Sequence, residues 1–263
     1  MYYDALEEVE NSIPSVNPVL NNRFVQSSIY TISSISDADN FCNMYNHDNN
    51  YGSLQLGQTI TINDGTYNKD WYVAGFDCEY NHKAADGTTK NSGYGICLIP
   101  TKNLANSVWH SVNSVAYMNS TIHTLCNGTI ANNLKKVLGN HLVNRNVLLG
   151  SSADISQTTG YTWTKSYVTL MSQYQLMGGS LLDDENENIY DRGEANYKLP
   201  LFKYFPFEIP VLSEGNYSEY YLRTLLAVDS LQRPRALEIV SGHNIDGQPC
   251  LYSSGVRPMI YIR

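Results

Sequence analysis

The fold is decided near the C-terminus by two short apolar stretches, Tyr220-Tyr221-Leu222-Arg223-Thr224 and Gly255-Val256-Arg257-Pro258-Met259-Ile260-Tyr261-Ile262. The side chains of the second stretch alternate with a period of two, which predicts a half-buried strand in an antiparallel sheet. Pro258 has no amide proton to give to a neighbouring strand. The strand is therefore expected at a sheet edge, or is expected to begin only after Pro258.

The residues between these two stretches are polar and follow no regular pattern. Two strands that frame such a segment are typical of a rigid scaffold that displays a variable surface, while a solvated loop without a ligand is the alternative. The candidate ligand-binding residues of this segment are Asp229, Gln232, Arg233, Arg235, His243, Asn244 and Asp246.

The composition favours a recognition protein over a nucleic-acid-binding one. Only 16% of the 263 residues are charged, while tyrosine occurs 21 times, and abundant Tyr, Asn, Ser and Gly are typical of recognition surfaces and of β-rich extracellular domains. Composition does not separate these from other β-rich folds. A net charge of -8 is the wrong sign for binding to nucleic acid, which needs a basic surface.

The five cysteines are an odd number without close spacing, which indicates free thiols and neither a disulfide framework nor a zinc site. The first residues are acidic and form no signal peptide, and no apolar run is long enough to span a membrane. We therefore expect synthesis in a cytoplasm without export by the usual route.

The chain divides into an N-terminal segment, residues 1–52, and a domain, residues 53–263. The polar, proline-containing start predicts an extended arm that attaches the domain to a larger assembly, with a disordered terminus as the alternative. One helix is expected between residues 34 and 45, with Ser36 or Asp37 as its N-cap and with Phe41 and Tyr45 on one face.

The domain itself is predicted to be of the α+β class, with long loops. Strands are expected at residues 59–62, 71–77 and 95–100, with turns at Asp64-Gly65 and Asp86-Gly87. Two helices follow, one with Met118, Ile122 and Leu125 on one face and one that starts near Ala131. Asn127-Gly128-Thr129 is expected to separate them and to cap the second.

Several further features have two interpretations. The acidic segment 183–194 is either a solvated loop or a Ca²⁺ site, and the first is favoured because the spacing of an EF-hand is missing. Tyr161 and Trp163 either stack on a sugar or pack in the core. No nucleophile elbow, phosphate-binding loop or metalloprotease motif occurs, so we expect no enzyme, no catalytic residue, no metal and no cofactor.

Six blocks follow one another along the chain: Trp71 to Asp77, Ile96 to Pro100, Tyr117 to Ser120, Asn146 to Leu149, Tyr220 to Thr224 and Gly255 to Pro258. In this order they resemble an uncharacterised domain family of Firmicutes and their tailed phages, which has a Tyr-Trp-Leu-Arg block and a terminal Val-Arg-Pro block. The resemblance covers about residues 55–263, with Tyr221 where the family usually has Trp.

This family looks like a branch of the C-type-lectin-like fold, which also includes sulfatase-modifying enzymes and phage tropism proteins. The resemblance implies two helices that flank small antiparallel sheets, with a display surface between the two C-terminal blocks. Trp71, Tyr221, Arg223 and Arg257 would be structural anchors, the arginines through hydrogen bonds to carbonyls or carboxylates. The lectins' paired cysteines and Glu-Pro-Asn triplet are missing, so calcium-dependent sugar binding is not implied.

The resulting prediction is a bacteriophage virion structural protein that displays a C-type-lectin-like module on a tail or capsid for adhesion to host-surface glycan. Its partners would be other virion proteins, reached through the N-terminal arm, and a bacterial glycan, with a homo-oligomer expected and no nucleic acid or membrane insertion. The first alternative is an architectural or decoration protein whose loops contact neighbouring subunits. The second is an enzyme of the sulfatase-modifying branch.

Overall fold

A computed structural model describes residues 28–45, 51–78, 95–111, 116–150, 161–178, 198–204, 219–226, 235–240 and 244–263. These residues form a mixed α+β structure of short helices and small sheets, so the predicted α+β class is confirmed.

The largest sheet has six strands in the order β1-β2-β3-β4-β13-β8. Its members are β1 (Thr31–Ile32), β2 (Thr59–Asn63), β3 (Asn68–Phe76), β4 (Ile96–Pro100), β8 (Val168–Leu170) and β13 (Pro258–Ile262). The strands expected in β2, β3 and β4 and the turn at Asp64-Gly65 are confirmed. The turn expected at Asp86-Gly87 lies outside the described residues.

Both faces of this sheet are covered, each by its own apolar cluster. Trp71 and Val73 of β3 pack into one cluster, while Tyr72 and Ala74 of the same strand pack into the other. Strands between two covered faces are buried on both sides, and all five residues of β13 are buried.

The antiparallel pairing predicted for the C-terminal strand is confirmed, whereas its half-burial and the sheet-edge alternative were wrong. β13 is fully buried instead of half-buried, and it lies inside the sheet between β4 and β8. Pro258 is nevertheless accommodated because it is the first residue of the strand, a position at which a missing amide proton is tolerated.

The second sheet has five strands in the order β11-β10-β9-β12-β5. Its members are β5 (Ala105–Val108), β9 (Tyr220–Leu226), β10 (Arg235–Val240), β11 (Asn244–Pro249) and β12 (Ser253–Val256). The expected irregular segment is thus partly regular, because β10 and β11 pair along their whole length as antiparallel strands. A separate pair joins β6 (Arg145–Gly150) to β7 (Tyr161–Ser166).

One uninterrupted helical run replaces the two predicted helices. After a 3-10 turn at Tyr117–Asn119 come α2 (Thr121–Leu125), a π turn (Cys126–Ile130) and α3 (Ala131–Leu138). Residues on both sides of the π turn keep right-handed helical angles, so Asn127-Gly128-Thr129 neither separates helices nor caps one. Three shorter helical segments are a 3-10 turn (Gly139–His141), α4 (Gln173–Met177) and α5 (Pro200–Tyr204).

The side chain of Asn127, in the π turn, has a different role. Its amide oxygen accepts hydrogen bonds from Ser166 Oγ at 2.8 Å and from the Tyr167 amide at 3.1 Å, and its amide nitrogen donates to the Val168 carbonyl at 3.0 Å. The wider turn of the helix thus holds the connection between β7 and β8.

Part of the predicted N-terminal arm belongs to the folded domain. Residues 28–45 contain β1, which pairs in parallel with β2, and α1 (Ile35–Tyr45). Ile32, Ala38 and Phe41 are fully buried in the same apolar cluster as Trp71. A separate arm over residues 1–52 therefore does not describe residues 28–45. Residues 1–27 lie outside the described residues.

The helix expected in this segment is confirmed, although its N-cap lies earlier than predicted. Ser34 occupies that position, since its Oγ accepts a hydrogen bond from the Asp37 amide at 3.2 Å. The Asp37 carboxylate in turn accepts hydrogen bonds from the amide and hydroxyl of Ser33, so the two side chains satisfy the start of the helix together.

Candidate functional site

The hairpin of β10 and β11 forms one end of the second sheet. Among the described strands, none pairs with the outer side of β11. The register sets Arg235 opposite Pro249, Glu238 opposite Asp246 and Val240 opposite Asn244. Edge strands present main-chain groups that can bind other molecules, so the hairpin is a candidate recognition element.

Register parity gives this hairpin two different faces, because successive residues of a strand lie on opposite sides of the sheet. One face holds the polar residues Glu238, Asn244, Asp246 and Gln248 together with Ala236 and Val240. The other face holds Leu237, Ile239, Ile245, Gly247 and Pro249 together with Arg235. We call the first set the polar face of the hairpin.

The polar face contains only part of the predicted ligand-binding set. Asn244 and Asp246 belong to it, whereas parity places Arg235 on the opposite face. The assignment of all three residues to one ligand surface stays a prediction. The remaining four predicted residues, Asp229, Gln232, Arg233 and His243, lie outside the described residues.

Two residues of the polar face, Glu238 and Gln248, were missed as ligand-binding candidates in the sequence. The run Asn244-Ile245-Asp246-Gly247-Gln248-Pro249 alternates polar and non-polar residues, which is the pattern of an amphipathic strand. Recognising that period would have grouped Gln248 with Asn244 and Asp246.

A tyrosine links the polar face to the turn that follows β11. Tyr221 of β9 lies opposite Glu238 in the sheet register, so Tyr221, Glu238 and Asp246 form one row across three strands. The Tyr221 hydroxyl donates to the carbonyl oxygen of Tyr252 at 2.7 Å. The turn therefore lies at the same face of the sheet as the polar face of the hairpin.

That turn has a fixed main chain and two exposed apolar side chains. The Tyr252 amide donates to the Pro249 carbonyl at 3.0 Å, and the His110 amide donates to the Cys250 carbonyl at 3.0 Å. Tyr252 is 62% exposed and Leu251 is 49% exposed. Together with the bond from Tyr221, these bonds fix the main chain that carries the exposed Tyr252 side chain.

An aromatic cluster packs behind the turn. Trp109 meets the Tyr221 ring edge-on, with the centroids 5.8 Å apart, and also contacts Tyr117 at 5.5 Å. The Tyr117 ring contacts His123 at 5.1 Å. Burial lowers the pKa of His123, while a hydrogen bond with the main chain of Met118 opposes that shift. The neutral imidazole is therefore the form that this site favours.

The arginines of the two C-terminal blocks donate hydrogen bonds to main-chain carbonyl groups. Arg257 is buried between β12 and β13, and donates from Nε to the Pro100 carbonyl at 2.8 Å and from Nη2 to the Thr101 carbonyl at 3.0 Å. Arg223 is also buried and donates from Nη1 to the Leu170 carbonyl at 2.7 Å. Burial lowers the pKa of Arg257, and the nearby Tyr220 and Tyr72 oppose that shift.

Gly255, of the last block, lies where β12 meets β9. A Cβ at this position would come within 2.3 Å of the Glu219 carbonyl oxygen and 1.8 Å of Asn103 Nδ2. Only glycine allows that approach, and the Gly255 amide then donates to the Glu219 carbonyl at 3.2 Å. Together with the two buried arginines, Gly255 fixes the scaffold under the hairpin.

The remaining candidates from the sequence lie wholly or partly outside the described residues and side chains. Tyr161 and Trp163 lie on β7, with side chains outside the described ones, and the acidic segment 183–194 is not described. Among the described residues, no three His, Cys, Asp or Glu side chains converge as a metal site would require. All five cysteines are free thiols, and no described helix is long and apolar enough to cross a membrane.

Comparison of the chain with known protein families, with curated proteins and with solved structures finds no match. The resemblance to the Firmicutes and phage family therefore stays a prediction.

Proposed function

We propose that this chain is a structural protein of a bacteriophage particle and that it displays its α+β domain to bind glycan on the host surface. Within this proposal the domain is a C-type-lectin-like module, carried on a tail or capsid and attached to other virion proteins through the N-terminal residues. The resemblance of six sequence blocks supports the family, and the composition supports a recognition role.

The observation that carries the proposal is the hairpin at the edge of the second sheet. Its register brings Glu238, Asn244, Asp246 and Gln248 onto one face. Carboxylate and amide groups hydrogen-bond the hydroxyl groups of a sugar, because carboxylates accept and amides both donate and accept. Buried anchors such as Arg257 keep the strands below in place, which lowers the cost of ordering the surface on binding.

The test is binding of the purified chain to purified cell envelopes of candidate hosts. We expect saturable binding that weakens at least tenfold in the variant Asn244→Ala/Asp246→Ala/Gln248→Ala. The matched control, Asn132→Ala/Lys136→Ala, changes two exposed residues of α3 and should bind like the original chain. Equal binding by all three proteins would contradict a hairpin site.

The same experiment separates adhesion from an architectural role. A chain whose loops contact neighbouring subunits would bind no envelope and would instead associate with itself or with other virion proteins. That outcome would replace the adhesion proposal with the architectural one.

A further inference from the structure

We infer that the turn at Leu251-Tyr252 is part of the recognition surface and that Tyr252 stacks on the ring of a neutral sugar. This inference rests on the proposed function and specifies its ligand class. It starts from two facts: a 62% exposed tyrosine and a turn whose main chain is held by three hydrogen bonds.

The first argument is energetic. An aromatic side chain brings a large contact area at the cost of only two torsion angles. The Tyr221 hydroxyl fixes the Tyr252 carbonyl at 2.7 Å, and Tyr221 is itself packed against Trp109. The ring of Tyr252 is thus presented on a turn that is ordered before any ligand arrives, which reduces the entropy lost on binding.

The second argument is the position of the turn. Tyr221 belongs to the same row as Glu238 and Asp246. Its hydroxyl group donates a hydrogen bond to the Tyr252 carbonyl oxygen. Gln248 of the polar face lies four residues before Tyr252. An exposed aromatic on a turn at the same face of the sheet as carboxylate and amide residues can hold the apolar face of a sugar ring while its hydroxyl groups are hydrogen-bonded.

The third argument is charge. The chain carries a net charge of -8, and Glu238 and Asp246 add two carboxylate residues to the polar face. Like charge disfavours a polyanionic partner. A neutral or N-acetylated glycan therefore fits this surface better than a phosphate-rich wall polymer.

The experiment compares the full chain with Tyr252→Ala and Tyr252→Phe in binding to purified Firmicutes cell walls. Some walls are untreated, some are stripped of phosphate polymers with hydrofluoric acid, and some are treated with protease. The Tyr252 side chain is exposed and only its main chain is bonded to the turn, so both variants should fold, and a thermal melt checks this.

We expect Tyr252→Ala to weaken binding about tenfold and Tyr252→Phe to stay within about twofold of the original chain. Stripped and protease-treated walls should bind as well as untreated ones. Unchanged binding by a folded Tyr252→Ala variant would overturn this inference alone, as would loss of binding on stripped or protease-treated walls. If the original chain binds no wall, the proposed function fails and this inference with it.

Discussion

Arg257 donates its Nε proton to the main-chain carbonyl oxygen of Pro100 at 2.8 Å, although the two residues lie 157 positions apart. Arg257 stands between β12 of the second sheet and β13 of the first, so this bond fixes the point at which the chain passes from one sheet to the other. A second bond, from Arg257 Nη2 to the Thr101 carbonyl, also fixes the residue that follows β4.

Replacing Arg257 with Met should destabilise the protein strongly. The change leaves the carbonyls of Pro100 and Thr101 without their donor, and each unsatisfied buried acceptor costs about 1–3 kcal/mol. We expect a loss of about 3 kcal/mol in the free energy of unfolding, measured by urea denaturation. Arg263→Met, at an exposed position, is the control, and equal losses in the two variants would argue against the role given to Arg257.

Asn127→Ala should also destabilise the protein, because it removes the bonds from the π turn to Ser166, Tyr167 and Val168. At about 1 kcal/mol for each of these three hydrogen bonds, we expect a loss of about 3 kcal/mol. Asn132→Ala, on the exposed side of the same helical run, should change stability by no more than about 0.5 kcal/mol. Urea midpoints of the two variants decide the matter, and similar midpoints would contradict the role of Asn127.

Two truncations test where the folded domain begins. Removal of residues 1–45 deletes Ile32 and Phe41, which are fully buried, and truncating a single buried Phe already costs about 3–5 kcal/mol. We expect this truncated chain not to fold, whereas a chain without residues 1–27 should keep its circular dichroism spectrum and its cooperative thermal melt. A cooperative melt of the shorter chain would mean that residues 28–45 are dispensable.

The stability of the protein should fall as the pH falls below about 6.5, in part because of His123. Burial lowers the pKa of this residue in the folded state, while the unfolded chain takes up the proton near the ordinary pKa of about 6.5. Between these two values the unfolded state binds more protons, so the free energy of unfolding decreases as the pH decreases. Urea midpoints at pH 7.5 and 5.5 should differ less in His123→Gln than in the original chain, and equal differences would be evidence against this effect.

Local patterns predicted much of the fold. Alternation at Thr59-Ile60-Thr61-Ile62 identified β2, and the apolar period after Ala131 identified α3. Buried arginines were expected in the Tyr-Leu-Arg and Val-Arg-Pro blocks, and both donate to carbonyl groups. The strand and the helix depend on near neighbours in the chain, which a sequence displays directly. The carbonyl partners of the arginines lie 53 and 157 positions away, so the sequence predicted the kind of bond but not the partner.

Long-range packing explains the features that the sequence did not predict. β13 is buried on both faces because a second apolar cluster, with Leu199 and Phe202, covers the side that alternation assigned to solvent. In the π turn, Asn127 bonds to residues about forty positions away, which no local pattern displays. The division of the candidate site into two faces depends on which residues of β10 lie opposite which residues of β11. The composition of the segment does not determine that register.

Hydrogen–deuterium exchange of the intact chain, with and without purified host cell walls, tests the central claim most directly. If the hairpin and the following turn form the recognition surface, peptides that cover residues 235–240 and 244–252 should exchange more slowly in the presence of walls, while those from residues 121–138 should not change. Protection confined to the helical run, with the hairpin unaffected, would contradict the account.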